Sequence, residues 1–251
     1  MKKTIGEVIG IPVNLIASSK GELLDDEICL GVEMELEGGD SSSHGIVPEG
    51  WSIVSDGTLR NNGRELIFSS PKAGAHAIKC INSFYSSIDF NELDCSELCS
   101  THVHFDLRWG TLKQAAAVAA IAAIEDIDLF RITDSNDRIG NPYCNTAYNN
   151  YGFWGQVRTL WKGNLPRGKG SPRKYSSINL DSLSRFGSIE LRHSNVIENK
   201  SILLLYINKM LGIISHVRMC PMKNKAQLLK CVSSYEHEKT QTILRLLKGL
   251  V

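Results

Sequence analysis

Leu30-Gly31-Val32-Glu33-Met34-Glu35-Leu36-Glu37 is the stretch on which the reading of this chain turns. Apolar and acidic residues alternate through it, the period of a β-strand whose side chains leave opposite faces. Val32, Met34 and Leu36 share one side, and Glu33, Glu35 and Glu37 the other. Three carboxylates in a row repel one another, so such a face is costly unless water or cations neutralise it. A solvated strand face and a metal site both fit this strand taken alone. The natural cation for oxygen ligands is a hard divalent ion, Mg²⁺ or Mn²⁺. Late in the chain, Ser188-Ile189-Glu190-Leu191-Arg192-His193 repeats the design. Ile189 and Leu191 face one way, Glu190 and Arg192 the other. Acids and a fixed cation on a sheet face suit a phosphate and metal site.

Around these two strands the remaining elements fall into place. Residues 1 to about 26 show no clear periodicity and read as an edge strand or a lead-in. Gly38 to Gly45 is a loop by composition, placed to close over a substrate or simply solvated. Trp51-Ser52-Ile53-Val54-Ser55 and Glu65-Leu66-Ile67-Phe68 read as short strands, the first ended by an Asp56-Gly57 turn. Helical spacing runs from Lys72 to Ile88. Thr101 to Leu107 alternates again, with His102, His104 and Asp106 on its polar face.

Thr111 is a good N-cap for an Ala-rich helix from Leu112 to about Phe130. Tyr148 to Trp161 is helical, with Trp154 and Trp161 in its buried stripe. Residues 162–174 form a basic Gly/Pro loop, a weak nucleic-acid signal and a better fit to a mobile loop near a phosphate ligand. Strand character returns from Tyr175 to Leu180. From Glu198 onward the pattern is helical over 202–214, 226–232 and 240–247. No repeat or long linker divides the chain, so residues 1–251 read as one catalytic domain, its motifs within about 28–195 and a helical tail at about 198–251.

Bulk properties narrow the class rather than the chemistry. Hydrophobic residues make up 42% of the 251, enough for a sizeable core, and the net charge of +1 singles out neither a polyanion nor a membrane surface. The longest apolar run, Ala115 to Ile124, is too short to span a bilayer, and Met1-Lys2-Lys3-Thr4 opens no signal peptide. Seven scattered cysteines suit reduced thiols, and the expected location is the cytoplasm. Cys95-x3-Cys99-x2-His102-x-His104 holds zinc-type donors, but histidines two apart fit a strand rather than a finger helix. Packing is preferred for the cysteines, and His193, on the apolar side of its strand, reads as a core histidine. Glu37, at its strand's end, reads as a solvated neighbour, and His102 as a supporting group.

The order of motifs is then informative: Gly-x-Glu-x-Glu at 31–35, Asp-Gly-Thr-Leu at 56–59, Glu-Leu-Ile-x-x-x-Pro at 65–71, His-Val-His at 102–104, Lys-Tyr-x-x-x-Asn at 174–179 and Glu-x-Arg-His at 190–193. This series resembles the amidoligase family, carboxylate–amine ligases with the fold of glutamine synthetase and glutamate–cysteine ligase. The resemblance covers residues about 28–195. It implies an α+β fold, with a curved, mainly antiparallel sheet and helices packed on one face. It implies ATP and Mg²⁺ (or Mn²⁺) as cofactors, with a carboxylate phosphorylated and the phosphate then displaced by an amine.

Carried over by motif, Glu33, Glu35, Glu65 and Glu190 would hold metal, with His104 near the metal or phosphates. Arg192 and Lys174 would grip the transferring phosphoryl group, where charge builds. Asp56 would orient the incoming amine or a loop, and Asn179 would bind nucleotide or cap a turn. The partners implied are a carboxylate and an amine, such as amino acids or peptides, with a homo-oligomer left open and a phage or bacterial source in keeping with family habit. Two other readings stay in view: a binding or scaffolding module that keeps the fold, and a metal-dependent phosphohydrolase using the same carboxylates.

Overall fold

A computed structural model of the chain describes residues 3–13, 23, 25, 27–38, 46–60, 63–141, 144–166, 176–235 and 240–250. The strand that opened the reading is β1, Leu30–Leu36. It is joined by β2 (Trp51–Val54), β3 (Arg64–Phe68), β4 (Thr101–Asp106), β5 (Ile178–Asn179) and β6 (Ser188–Ser194). The order across the sheet is β2-β3-β1-β4-β6-β5, every neighbouring pair is antiparallel, and the sheet is open. The fold is therefore α+β, and the strand carrying the carboxylates lies inside the sheet rather than at an edge.

The apolar face follows from the alternation. Val32, Met34 and Leu36 of β1, Leu66 and Phe68 of β3, Val103 and Phe105 of β4, and Ile189 and Leu191 of β6 are all buried in one core. Helices α2 (Gly74–Ser87), α3 (Leu112–Ile124), α5 (Tyr151–Trp161) and α7 (Lys200–Arg218) contribute to the same core. Ala-rich α3 is buried almost all round, as a helix apolar on every face must be. Its capping box joins Thr111 and Gln114, each satisfying the other's free backbone N–H. Trp154 and Trp161 are buried in the core, as their stripe suggests, and the Trp154 indole donates to the Tyr148 carbonyl at 2.9 Å.

Three departures have physical causes. The helix expected to run to Phe130 breaks at Glu125, and α4 (Asp126–Ile132) continues separately. The break places Asp126 in the core, where His193 Nε2 (2.9 Å) and the Ser177 hydroxyl (2.6 Å) both meet it. His193 is a core histidine whose other ring nitrogen lies 3.0 Å from the Tyr206 hydroxyl. The second departure is at the N-terminus, read as an edge strand or a lead-in, where Ile5–Ile9 forms helix α1. Its capping box, Thr4 with Glu7, is a local signal in the sequence, and α1 docks through Ile5 N–H to the Gly110 carbonyl at 2.7 Å. The third is α6 (Ser182–Arg185), a single turn that reverses the chain between β5 and β6. The tail forms α7, α8 (Lys225–Ser233) and α9 (Thr240–Leu250). Among the described residues no helix is long and apolar enough to cross a membrane.

Candidate metal and phosphate site

Strand register assembles the polar face. Across β1 and β3, Glu35 stands opposite Glu65; across β1 and β4, Glu33 stands opposite His102 and Gly31 opposite His104. Beyond β4, His104 faces Glu190 of β6, which in turn faces Asn179 of β5. Four distant segments thus deliver acids and imidazoles to one surface, with Glu33 near its centre. Between Thr101 and Val103 the β4–β6 register slips by one residue. That bulge gives β6 an extra residue, so Arg192 stays beside the polar cluster while His193 and Ser194 are both buried.

Glu33 is the hub. Its two oxygens lie 3.1 Å from His102 Nδ1 and 3.2 Å from His104 Nε2. The outer nitrogens of both rings are held by hydroxyls, His102 Nε2 by Ser100 at 2.7 Å and His104 Nδ1 by Ser188 at 3.0 Å. Ser100 in turn donates to Glu35. Glu190 lies 3.9 Å from each imidazole, is ion-paired with Arg192, and accepts from Asn179 Nδ2 at 2.6 Å. Every ring on this face is oriented from behind, the arrangement typical of metal-binding histidines.

The electrostatics divide the carboxylates. Burial raises the Glu33 carboxyl, but hydrogen bonds from His102 and His104 outweigh it and leave it well below the usual range. Glu190 is treated the same way: burial raises it, and the charges of Arg192 and the two histidines bring it down. Burial lowers His104, yet its bond to Glu33 and the charge of Glu190 raise it overall. Arg192 stays charged, since Glu190, Glu35 and Glu33 overcome its desolvation. Glu65 goes the other way, pushed up to about 8 by burial and then by the charges of Glu33, Glu35 and Asp56. Negative charge here exceeds what the protein's own cations neutralise.

Two observations fit this surface to a cation and an anion. One donor atom each from Glu33, His102 and Glu190 lies within 4.8 Å of the others, a spacing that suits one ion. The buried Arg192 Nε has no hydrogen-bond partner among the described residues, an unmet donor beside the cluster. Next to it opens a cavity of about 370 Å³, lined by Gly31, Glu33, His104, Phe186 and Ser188 among others. A neighbouring cavity of about 620 Å³ shares Cys29, Pro71 and Arg108 with it and adds Lys72, His76 and Lys79 to the wall.

The individual expectations fare unequally. Glu33, Glu35, Glu65, His104, Glu190 and Arg192 are brought to one face by the pairings above, but Glu190, Glu35, Glu65 and Arg192 do not line the cavity. Glu35 is engaged by Ser100, leaving the compact donor set to Glu33, His102 and Glu190. His102 is thus more central than its sequence reading, because its ring bridges Ser100 and Glu33. Glu37 is not solvated: it is 1% exposed and accepts from the backbone N–H groups of Arg60 (2.6 Å) and Ser96 (3.2 Å). Asp56 accepts from the Thr58 N–H and hydroxyl, both at 2.8 Å, closing its own turn. Asn179 caps as well as reaches, taking the Asp181 N–H at 3.0 Å while it holds Glu190.

Lys174 lies outside the described residues, as do 39–45 and 167–175 of the two loops. The zinc-type cluster divides between two places: His102 and His104 join Glu33, while Cys95 and Cys99 pair with each other. That hydrogen bond from Cys99 pulls the Cys95 thiol down to about 7. Ser100 and Ser188 went unrecognised in the sequence, and only their places beside the polar strand positions point to them. No protein-family model matches the sequence, and no curated protein matches it.

Proposed function

We propose that this chain is an ATP-dependent carboxylate–amine ligase of the amidoligase type, with a catalytic sheet like that of glutamine synthetase and glutamate–cysteine ligase. The observation that carries this reading is the Glu33–His102–Glu190 donor set standing beside Arg192, whose Nε has no partner among the described residues. Glu33, His102 and Glu190 would hold the divalent ion, with Glu35 and Glu65 as further carboxylates on the same face. Bound there, Mg²⁺ or Mn²⁺ would screen the triphosphate and let it approach an anionic carboxylate. The imidazole among the donors suits Mn²⁺ better than Mg²⁺.

The chain's own residues supply the rest. Arg192 offers a planar fork to the transferring phosphoryl group, where charge grows as the bond to ADP breaks. Asn179 keeps Glu190 turned toward the imidazoles. Ser100 and Ser188 hold the two rings turned toward Glu33. Of the two neighbouring cavities, the larger, with Lys72 and His76 on its wall, suits the acidic partner of the ligation.

The test is trapping. The protein is incubated with ATP, Mn²⁺ and a panel of amino acids or acidic peptides, with hydroxylamine in place of the amine. An activated acyl phosphate gives a hydroxamate and one equivalent each of ADP and phosphate. Phosphate release at the same rate without any carboxylate, and no hydroxamate, assigns the site to phosphohydrolysis instead. No nucleotide-induced thermal shift with either metal assigns the chain to a non-catalytic binding module; a ligand at a hundred times its Kd stabilises by about 2.7 kcal/mol.

A further inference from the structure

Far from the carboxylate face, the C-terminal helices bring together a second group of metal-type donors. His216 lies in the last turn of α7, and Cys220 follows four residues on, just past the helix end. The Cys220 N–H is fixed by the Val217 carbonyl at 3.0 Å, and Pro221 ends the run. The chain then turns, and Asn224 caps α8 through the Gln227 N–H at 3.0 Å. The last turn of α8 brings Cys231 back against His216. One donor atom from each of His216, Cys220 and Cys231 lies within 4.8 Å of the others. Cys231 is buried, while His216 and Cys220 are half-buried, leaving one side accessible.

We propose that His216, Cys220 and Cys231 form a zinc site that clamps α8 to the end of α7. Two thiolates and an imidazole are soft and borderline donors that select Zn²⁺ over Mg²⁺, and they bind it in tetrahedral sites. Two thiolate charges also balance the ion's own. The imidazole is already oriented: His216 Nε2 lies 3.0 Å from the Cys231 carbonyl, and the Tyr235 ring meets the histidine edge-on with centroids 5.5 Å apart. Support of this kind around a ligating histidine is what fixes its orientation for metal. Three protein donors leave a fourth position for water. The site shares no residue with the proposed ligase site, so either stands or falls without the other.

Co²⁺ is the probe, because a cobalt–thiolate bond gives a near-ultraviolet charge-transfer band that the sulfur-free Glu33 cluster cannot produce. Titration of the reduced full chain is expected to raise this band to one equivalent, and Zn²⁺ to abolish it. The double variant Cys220→Ser/Cys231→Ser removes the band, whereas Glu33→Gln leaves it unchanged. His216→Gln, at a half-buried position, keeps both thiols but weakens Zn²⁺ binding by more than about 100-fold, beyond what loss of a mere supporting group costs. Absence of the band in the reduced wild-type chain would overturn the proposal. So would its persistence in Cys220→Ser/Cys231→Ser, which would move the thiolate ligands to Cys95 and Cys99, or unchanged Zn²⁺ affinity in His216→Gln.

Discussion

Glu65 concentrates the electrostatic problem of the polar face in one side chain. A carboxyl at about 8 in the folded chain binds a proton that the unfolded chain releases near the ordinary 4.5. Between those values the folded state holds more protons, so stability falls as pH rises through this window. His104, also raised, acts in the same direction. Glu33 and Glu190, both lowered, contribute stability that is fully present above their unfolded values and lost only in acid. Metal-free protein is therefore expected to melt at lower temperature at pH 8 than at pH 5.5. Glu65→Gln flattens that slope; an unchanged slope in the variant would place the effect elsewhere. In the proposed reaction Arg192 would face a different demand, charge that develops mainly in the transition state. Arg192→Lys keeps a positive charge but loses the fork, so near-normal ATP binding is expected with a turnover loss of about 10²–10³. Loss of ATP binding with full turnover at saturation would make Arg192 a ground-state anchor.

At the scale of elements, core packing centres on α3 and the placing of Arg192 on the β4–β6 bulge. α3 is lined by alanines because its neighbours α5 and α7 pack against it closely, and Ala119 is fully buried. Ala119→Leu adds volume where there is none, and a loss of about 1–3 kcal/mol is expected. Thr111→Ala removes the cap and costs about 1 kcal/mol. Urea denaturation with unchanged m-values checks both; a neutral Ala119→Leu would show that the packing is looser than described. Strand and helix periods were readable for most of these elements, since buried and polar residues alternate cleanly in β1, β4 and β6. The break at Glu125 was not, because an unbroken helical pattern runs across it and the contacts of His193, Ser177 and the Tyr148 N–H to Asp126 come from distant segments. Nor was the bulge, since alternation in 188–193 carries no record of how a neighbouring strand is paired.

Across the whole molecule, the acids were legible one strand at a time, but their grouping was not. Glu33, Glu190 and Arg192 announce themselves by alternation, whereas the hub of Glu33 with His102 and His104 arises from register between strands about 70 residues apart in sequence. His102 looked secondary because nothing local distinguishes it from His104. Glu37 looked solvated because the loop residues Arg60 and Ser96 that cover it arrive from elsewhere in the chain. The central claim is that this face holds a divalent ion for use with ATP. Its most direct test is Mn²⁺ binding followed by the paramagnetic resonance of the free ion, with and without ATP, in wild type and Glu33→Gln. The account predicts Mn²⁺ uptake that ATP strengthens and that Glu33→Gln weakens by at least tenfold. Equal uptake by the two proteins, or none by the wild type with ATP present, would contradict it.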